Sequence, residues 1–205
     1  HNQCGGSPLT LDFIQSVNSI AKKNNLKIHM DGARLFNASA AQRKSVKDIV
    51  ENIDSVTFCL SKGLSCPIGS IISGSKPFIS EARRWRKSIG GGMRQAGVIA
   101  AAGIYALNNM VDRLEEDHVN AKNLAIGLSK IPEIIIDTEY VKTNILRFEL
   151  ANNINLNEFE SELKKEGIIF NSYYGSVRMV THYGIVSKDI DKVIDITTKV
   201  VKNLS

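Results

Sequence analysis

The sequence predicts an α/β fold: part of a mostly parallel sheet with flanking helices over residues 1–120, followed by a small α+β domain over residues 121–205. Three observations carry this expectation. Apolar strand-like runs at residues 26–30 and 55–60 alternate with helix-like segments, and that alternation implies right-handed crossovers between parallel strands. A long amphipathic stretch ending at Pro132 separates this part from the C-terminal region. In that region, shorter strands and helices alternate to the end of the chain.

In order, residues 8–25 carry Leu11, Ile14, Val17, Ile20 and Ala21 at near-helical spacing, and Asn24-Asn25 marks a stop. The strand at 26–30 comes next, then a helix over 45–52 and the strand at 55–60. Residues 69–74 (GSIISG) read as a short strand running back, with glycines that allow tight turns at both ends. A basic helix over 77–87 leads into a triple glycine. Residues 96–109 form a nearly all-apolar, alanine-rich helix that is expected to be interior. Leu114, Val119, Leu124 and Leu128 mark the long amphipathic helix over 111–130, and the domain boundary is placed within it. Strands are then expected at 134–137, 144–150, 168–170 and 176–182, with helices at 156–166 and 187–204. There is no internal repeat and no low-complexity segment.

At 205 residues with 43% apolar content, the chain is long enough to bury a sizeable core. No apolar run approaches the ~20 residues of a membrane span, and the opening HNQCGGSPLT has neither a charged nor an apolar leader region. Cys4, Cys59 and Cys66 form no disulfide framework and no Cys-x-x-Cys zinc pair, so a reducing cytoplasm without a structural metal is expected. The net charge of +5 is spread among acidic residues. The one basic cluster, Arg83-Arg84-Trp85-Arg86-Lys87, has a single aromatic and no recognition module around it, so neither nucleic acid nor membrane is an expected partner.

The chemistry concentrates after two strands. Asp31 ends the first, in LKIHMDGAR, and Lys62 comes after the second, in SVTFCLSKG. Ligands of open α/β sheets bind beyond the carboxyl ends of strands. A lysine there can hold an aldehyde as a Schiff base, and an aspartate can keep a pyridine nitrogen protonated, which is what a pyridoxal phosphate site needs. Taken alone, each residue is ordinarily a solvated loop residue or a helix cap. His29 is expected to face away from the aspartate and pack in the core, and His118 and His182 to be structural or surface residues.

Four ordered motifs surround this pair: His29-Met30-Asp31-Gly32-Ala33-Arg34-Leu35-Phe36-Asn37-Ala38, Phe58-Cys59-Leu60-Ser61-Lys62-Gly63-Leu64, Trp85-Arg86-Lys87 and Gly90-Gly91-Gly92-Met93-Arg94-Gln95. The set resembles the low-specificity threonine aldolases, a branch of the aspartate-aminotransferase-like, fold type I pyridoxal phosphate enzymes, along nearly the whole chain. The resemblance implies that Lys62 binds the cofactor aldehyde and Asp31 the ring nitrogen. It implies that Arg34 contacts the substrate carboxylate or the cofactor's phenolic oxygen, that Arg94 and Lys87 serve the cofactor, and that Arg178 grips the substrate carboxylate. Arg94 further implies a homodimer or homotetramer, since its counterpart in some members serves a neighbouring subunit. The glycine run is expected to offer several backbone N–H groups to an anion.

The implied reaction is retro-aldol cleavage of L-threonine, L-allo-threonine and related β-hydroxy amino acids to glycine and an aldehyde. Alternatives are β-elimination or transamination on the same scaffold, or a non-catalytic binding or assembly module. Family features expected upstream are not in this sequence, among them a stacking histidine and a phosphate loop. His1-Asn2 resembles the end of a family Thr-His-Asn stretch, and an N-terminal companion chain or segment is therefore expected.

Overall fold

The computed structural model describes residues 5–205, so the expectations for His1, Asn2 and Cys4 lie outside the described residues. The described chain forms two compact units, one of Leu9–Leu114 and one of residues 5–8 with Glu115–Ser205. The limit expected at residue 120 falls a few residues past this division.

The first unit is built on a three-stranded sheet of order β1-β2-β3, with β1 at His29–Asp31, β2 at Ser55–Cys59 and β3 at Ser70–Gly74. β1 and β2 run parallel, with His29 opposite Ser55 and Asp31 opposite Thr57. β3 returns antiparallel, with Thr57 opposite Ile72, so the sheet is mixed. Helix α1 (Leu11–Lys23) starts where the Thr10 side chain accepts from the Phe13 amide and ends at Asn24, before Asn25 turns at φ 53°. It buries Ile14 and Ala21. Helix α3 (Val46–Val50) opens on a capping box between Ser45 and Asp48. Ile14, Leu35, Ile49 and Val56 close one small core around these elements.

Helix α2 (Leu35–Gln42) was not expected from the sequence. Its residues LFNASAAQ have no 3.6-residue apolar rhythm, because the helix is wedged into the unit by Leu35, Asn37 and Ala38 rather than laid on it by an amphipathic stripe. Helix α4 (Lys76–Ser88) is capped by Ser75 and buries none of its residues. The interior position expected for residues 96–109 is not found. Helix α5 (Gly97–Asn109) buries only Gly103 and Ala106, while Val98 is 84% and Tyr105 64% exposed. Its alanine face meets Leu60, Leu64 and Cys66, and among the described residues Val98, Ile104 and Tyr105 stay exposed.

The second unit carries helix α6 (residues 114–128, of which 115–128 belong here) and a four-stranded sheet of order β4-β5-β7-β6. Its strands are β4 (Ile134–Ile135), β5 (Ile145–Leu150), β6 (Asn171–Tyr173) and β7 (Ser176–Val180), all paired antiparallel. Helices α7 (Leu156–Lys165) and α8 (Ser187–Leu204) complete it. Alternation along β5 and β7 sends Leu146, Phe148, Val177 and Met179 into one core with Leu124, Phe159, Leu163, Ile190 and Val201.

The strand expected at 168–170 begins three residues later. Gly167 (φ 80°) ends α7 with its amide on Lys164, and the Ile168 amide turns back to Leu163 at 2.9 Å, so residue 168 closes the helix instead of joining the sheet. β7 stops at Val180 rather than residue 182, and the buried Thr181 hydroxyl donates to the Asp117 carbonyl at 2.6 Å.

Phe159 is fully buried, with its ring 6.3 Å from Phe148 and 5.8 Å from Phe170. Phe159→Ala is expected to destabilise the second unit by about 3–5 kcal/mol. Urea unfolding monitored by circular dichroism checks this; a midpoint within error of the parent's contradicts the assigned core.

Candidate active site

At the carboxyl end of the parallel strand pair, the chain keeps β1 and β2 in register beyond the last strand residue. The Gly32 amide donates to Thr57 O at 2.7 Å, and the Cys59 amide to Ala33 O at 3.2 Å. Asp31 therefore sits on the same rim of the sheet as the turn after β2, on a strand spaced about 4.8 Å from its neighbour. Its side chain is exposed, and Oδ1 accepts from the Ala33 amide at 3.1 Å, which fixes the carboxylate over the turn. A Cβ on Gly32 would lie 2.9 Å from Thr57 O and 3.2 Å from Val56 Cγ2. Glycine is required here by space, not by a left-handed backbone.

Half-buried Lys62 stands on a compact turn. The Ser65 amide donates to Lys62 O at 2.8 Å, the Cys66 amide to Leu60 O at 3.0 Å, and the Leu60 amide to Gly69 O at 2.9 Å. Leu60 and Leu64, 4% and 3% exposed, anchor the turn in the core on either side of the lysine. A Cβ on Gly63 would lie 2.6 Å from Asn37 Oδ1 and 3.0 Å from Leu114 Cδ2. Buried Asn37 on α2 is thus the wall against which the lysine turn is pressed. Asn37 carries no chemical role that sequence alone reveals. The signal for it is the glycine after the lysine, whose missing side chain needs an occupant.

Arg34 is half-buried at the start of α2, one helical turn before Asn37 and on the rim that carries Asp31. His29 is not turned into the core. Residues 29 and 31 are two apart on a strand and share a face, so His29 is exposed alongside Asp31, with Nδ1 2.9 Å from Ser55 Oγ.

Lys87 and Arg94 lie on either side of the glycine run, both exposed. The Lys87 stem curls over Gly92, where a Cβ would lie 2.6 Å from Lys87 Cδ. The amides of Gly90, Gly91 and Met93 are already donated to Lys87 O, Arg86 O and Gly91 O. The run is consequently a closed turn, with fewer N–H groups to offer an anion than expected.

In the second unit, half-buried Arg178 lies on β7 directly opposite Arg147 of β5 and Asn171 of β6. Burial, then the positive charge of Arg147, lower the pKa of the Arg178 guanidinium, and Tyr173 opposes them. His182 is exposed, with Nδ1 2.8 Å from Tyr183 O. Burial pushes the pKa of His118 down, against the opposing charges of Asp117 and Glu115. Cys66 is a buried thiol, 3.4 Å from Ala102 O, whose pKa burial raises. Among the described residues, no group of three or more His, Cys, Asp or Glu is placed to hold a metal, and no helix is long and apolar enough to cross a membrane.

An amine and a carboxylate on one rim of a sheet suit an aldehyde-bearing pyridine ring. The residues present therefore fit pyridoxal phosphate, with Lys62, Asp31 and Arg34 as the side chains that would hold it.

The family described as beta-eliminating lyase matches residues 1–151. The chain is 42% identical over 200 residues to the Arabidopsis thaliana protein named probable low-specificity L-threonine aldolase 2, an alignment covering 96% of this chain and 56% of that relative. It is 39% identical over 192 residues to the low specificity L-threonine aldolase of Escherichia coli K12, covering 94% of this chain and 56% of that one. The chain thus spans about half the length of the curated relatives it matches. A crystal structure described as a putative L-allo-threonine aldolase from Listeria monocytogenes superposes with a TM-score of 0.79 at 19% identity, over 96% of this chain and 58% of that one. A putative aromatic amino acid beta-eliminating lyase/threonine aldolase from Exiguobacterium superposes with a TM-score of 0.82 at 20% identity, over 98% and 60% of the two chains. At such identities the likeness is one of fold.

Gly63→Ala forces a methyl group into Asn37. It is expected to destabilise the first unit by about 1–3 kcal/mol, with the partner change Asn37→Ala recovering part of the loss. A double-mutant thermal-unfolding cycle checks this, and strict additivity of the two changes contradicts the contact.

Proposed function

The chain belongs to the beta-eliminating lyase family, and on that footing we propose that it carries the lysine and aspartate side of a pyridoxal phosphate-dependent aldehyde-lyase. The enzyme cleaves L-threonine, L-allo-threonine and related β-hydroxy amino acids to glycine and an aldehyde. The observation that carries this reading is the shared strand-end rim of Asp31 and Lys62, where Gly32 and Gly63 let the two turns pack closely against Thr57 and Asn37.

When bound, the cofactor supplies an electron sink for the carbanion left as the Cα–Cβ bond breaks. Lys62 would hold it through its amine. The Asp31 carboxylate, held over its turn by the Ala33 amide, would keep a proton on the ring nitrogen through a charge-assisted hydrogen bond. Arg34 stands on the same rim, where its guanidinium can hold a carboxylate or a phenolic oxygen, and Arg178 provides a second, planar fork for the substrate carboxylate. Lys87 and Arg94 supply positive charge for the cofactor phosphate. Among the described residues no side chain is assigned as the base for the β-hydroxyl proton, and we assign that base to an N-terminal companion segment.

The exposed apolar surface of α5, with Val98, Ile104 and Tyr105 in water, supports assembly with that segment in a homodimer or homotetramer; the cytoplasmic location rests on the cysteine usage alone. A β-eliminating or transaminating reaction on the same site is the second reading, favoured by the name of the matched family. The products separate them, since pyruvate or another keto acid marks those reactions and glycine plus acetaldehyde marks the lyase.

The full-length protein, loaded with pyridoxal phosphate, is expected to release glycine and acetaldehyde from threonine or allo-threonine in equal amounts. Lys62→Ala is expected to lower that rate by at least about a thousandfold. Chromatographic product analysis checks both, and a loaded protein that releases no acetaldehyde from either substrate contradicts the reading.

A further inference from the structure

The sheet of the second unit presents an unusual pair on the face turned away from its core. Arg147 and Arg178 are direct cross-strand partners on β5 and β7, and Asn171 continues the row on β6. Directly opposite residues share a face, with Cβ atoms about 4.5–5.5 Å apart, and like charges at that spacing destabilise a sheet. The core-facing residues alternate with them, Leu146 and Phe148 on β5, Val177 and Met179 on β7, so neither arginine is there to pack the interior. Both are nevertheless half-buried. The Nε of Arg147 is shielded from solvent and has no hydrogen-bond partner, and a buried guanidinium donor left unmade is costly. The nearest acidic residue in the same strand, Glu149, lies one row further along the same face, opposite Ser176 rather than opposite either arginine.

A desolvated, unused donor on Arg147 beside a second cation suits an anion, which would offset the repulsion and take that N–H. We propose that Arg147 and Arg178 form a single two-guanidinium clamp for a carboxylate, and that Arg147 is a second residue holding the α-carboxylate of the amino-acid substrate. Burial first, and then the positive charge of Arg147, lower the basicity of Arg178, so the cross-strand repulsion adds to the cost of desolvation. The identity of the anion rests on the proposed function; the existence of the clamp does not. Two forks on one carboxylate fix its plane as well as its position, which is what an enzyme needs to keep one bond at Cα aligned for cleavage while the side chain beyond it varies.

Inorganic sulfate serves as the probe, titrated calorimetrically into the full-length protein at low ionic strength, with glycine as competitor. Parent protein is expected to bind sulfate at this site, Arg147→Met to weaken it by at least about tenfold, and Arg147→Lys, which keeps the charge but loses the fork, to weaken it by a smaller factor. Glycine is expected to displace sulfate from the parent. If Arg147→Met does not fold, Arg147→Lys alone decides, because a purely structural arginine replaced by lysine would leave sulfate affinity unchanged. Unaltered affinity in the folded variants, or no sulfate binding by the parent, overturns the clamp. Arginine-dependent sulfate binding that glycine does not displace keeps the clamp and counts against the amino-acid substrate.

Discussion

The close approach of two strand-end turns is the constraint on which the rest of the site depends. The backbone ladder between residues 31–33 and β2 continues past the strands through Gly32 and Ala33, and it carries Asp31 to the rim where Lys62 emerges. The approach is possible because no Cβ stands at residue 32, where Thr57 O would be 2.9 Å away, or at residue 63, where Asn37 Oδ1 would be 2.6 Å away. Buried Leu60 and Leu64 then hold the lysine turn from below. A side chain at Gly32 would push the two strands apart, and one at Gly63 would push the lysine turn away from α2.

The second unit solves a different problem with the two faces of one sheet. That sheet is amphipathic in an unusual way: one face joins the core through Leu146, Phe148, Val177 and Met179, while the other carries two arginines in one row. Repulsion that would merely weaken an ordinary sheet becomes useful where an anion is to be held, because ligand binding relieves it. The chain therefore puts its carboxylate and amine on one unit and an arginine pair on the other.

Much of this was legible in the sequence, for identifiable reasons. The apolar run at 55–60 could only be a buried strand, and the lysine after it was marked by the motif Ser-Lys-Gly-Leu. Helix 187–204 was matched at both ends because its apolar spacing is regular over five turns. What was missed depends on contacts that sequence does not display. α2 lacks a stripe because it is buried on several sides around Asn37. Residue 168 carries a strand-like side chain, but its amide is taken by the end of α7. The all-apolar composition of α5 suggested an interior helix, yet composition cannot tell a helix covered by its own chain from one whose apolar face is left exposed. The role of Arg147 was hidden altogether, because a strand arginine gains meaning only from the residue across the ladder.

The most direct test of the shared rim is the site of covalent attachment. The full-length protein loaded with pyridoxal phosphate, reduced with borohydride and digested, should yield one pyridoxyl-modified peptide, that of residues 55–64, with the label on Lys62. Label on Lys87 or spread over surface lysines, with the Lys62 peptide unmodified, would contradict it.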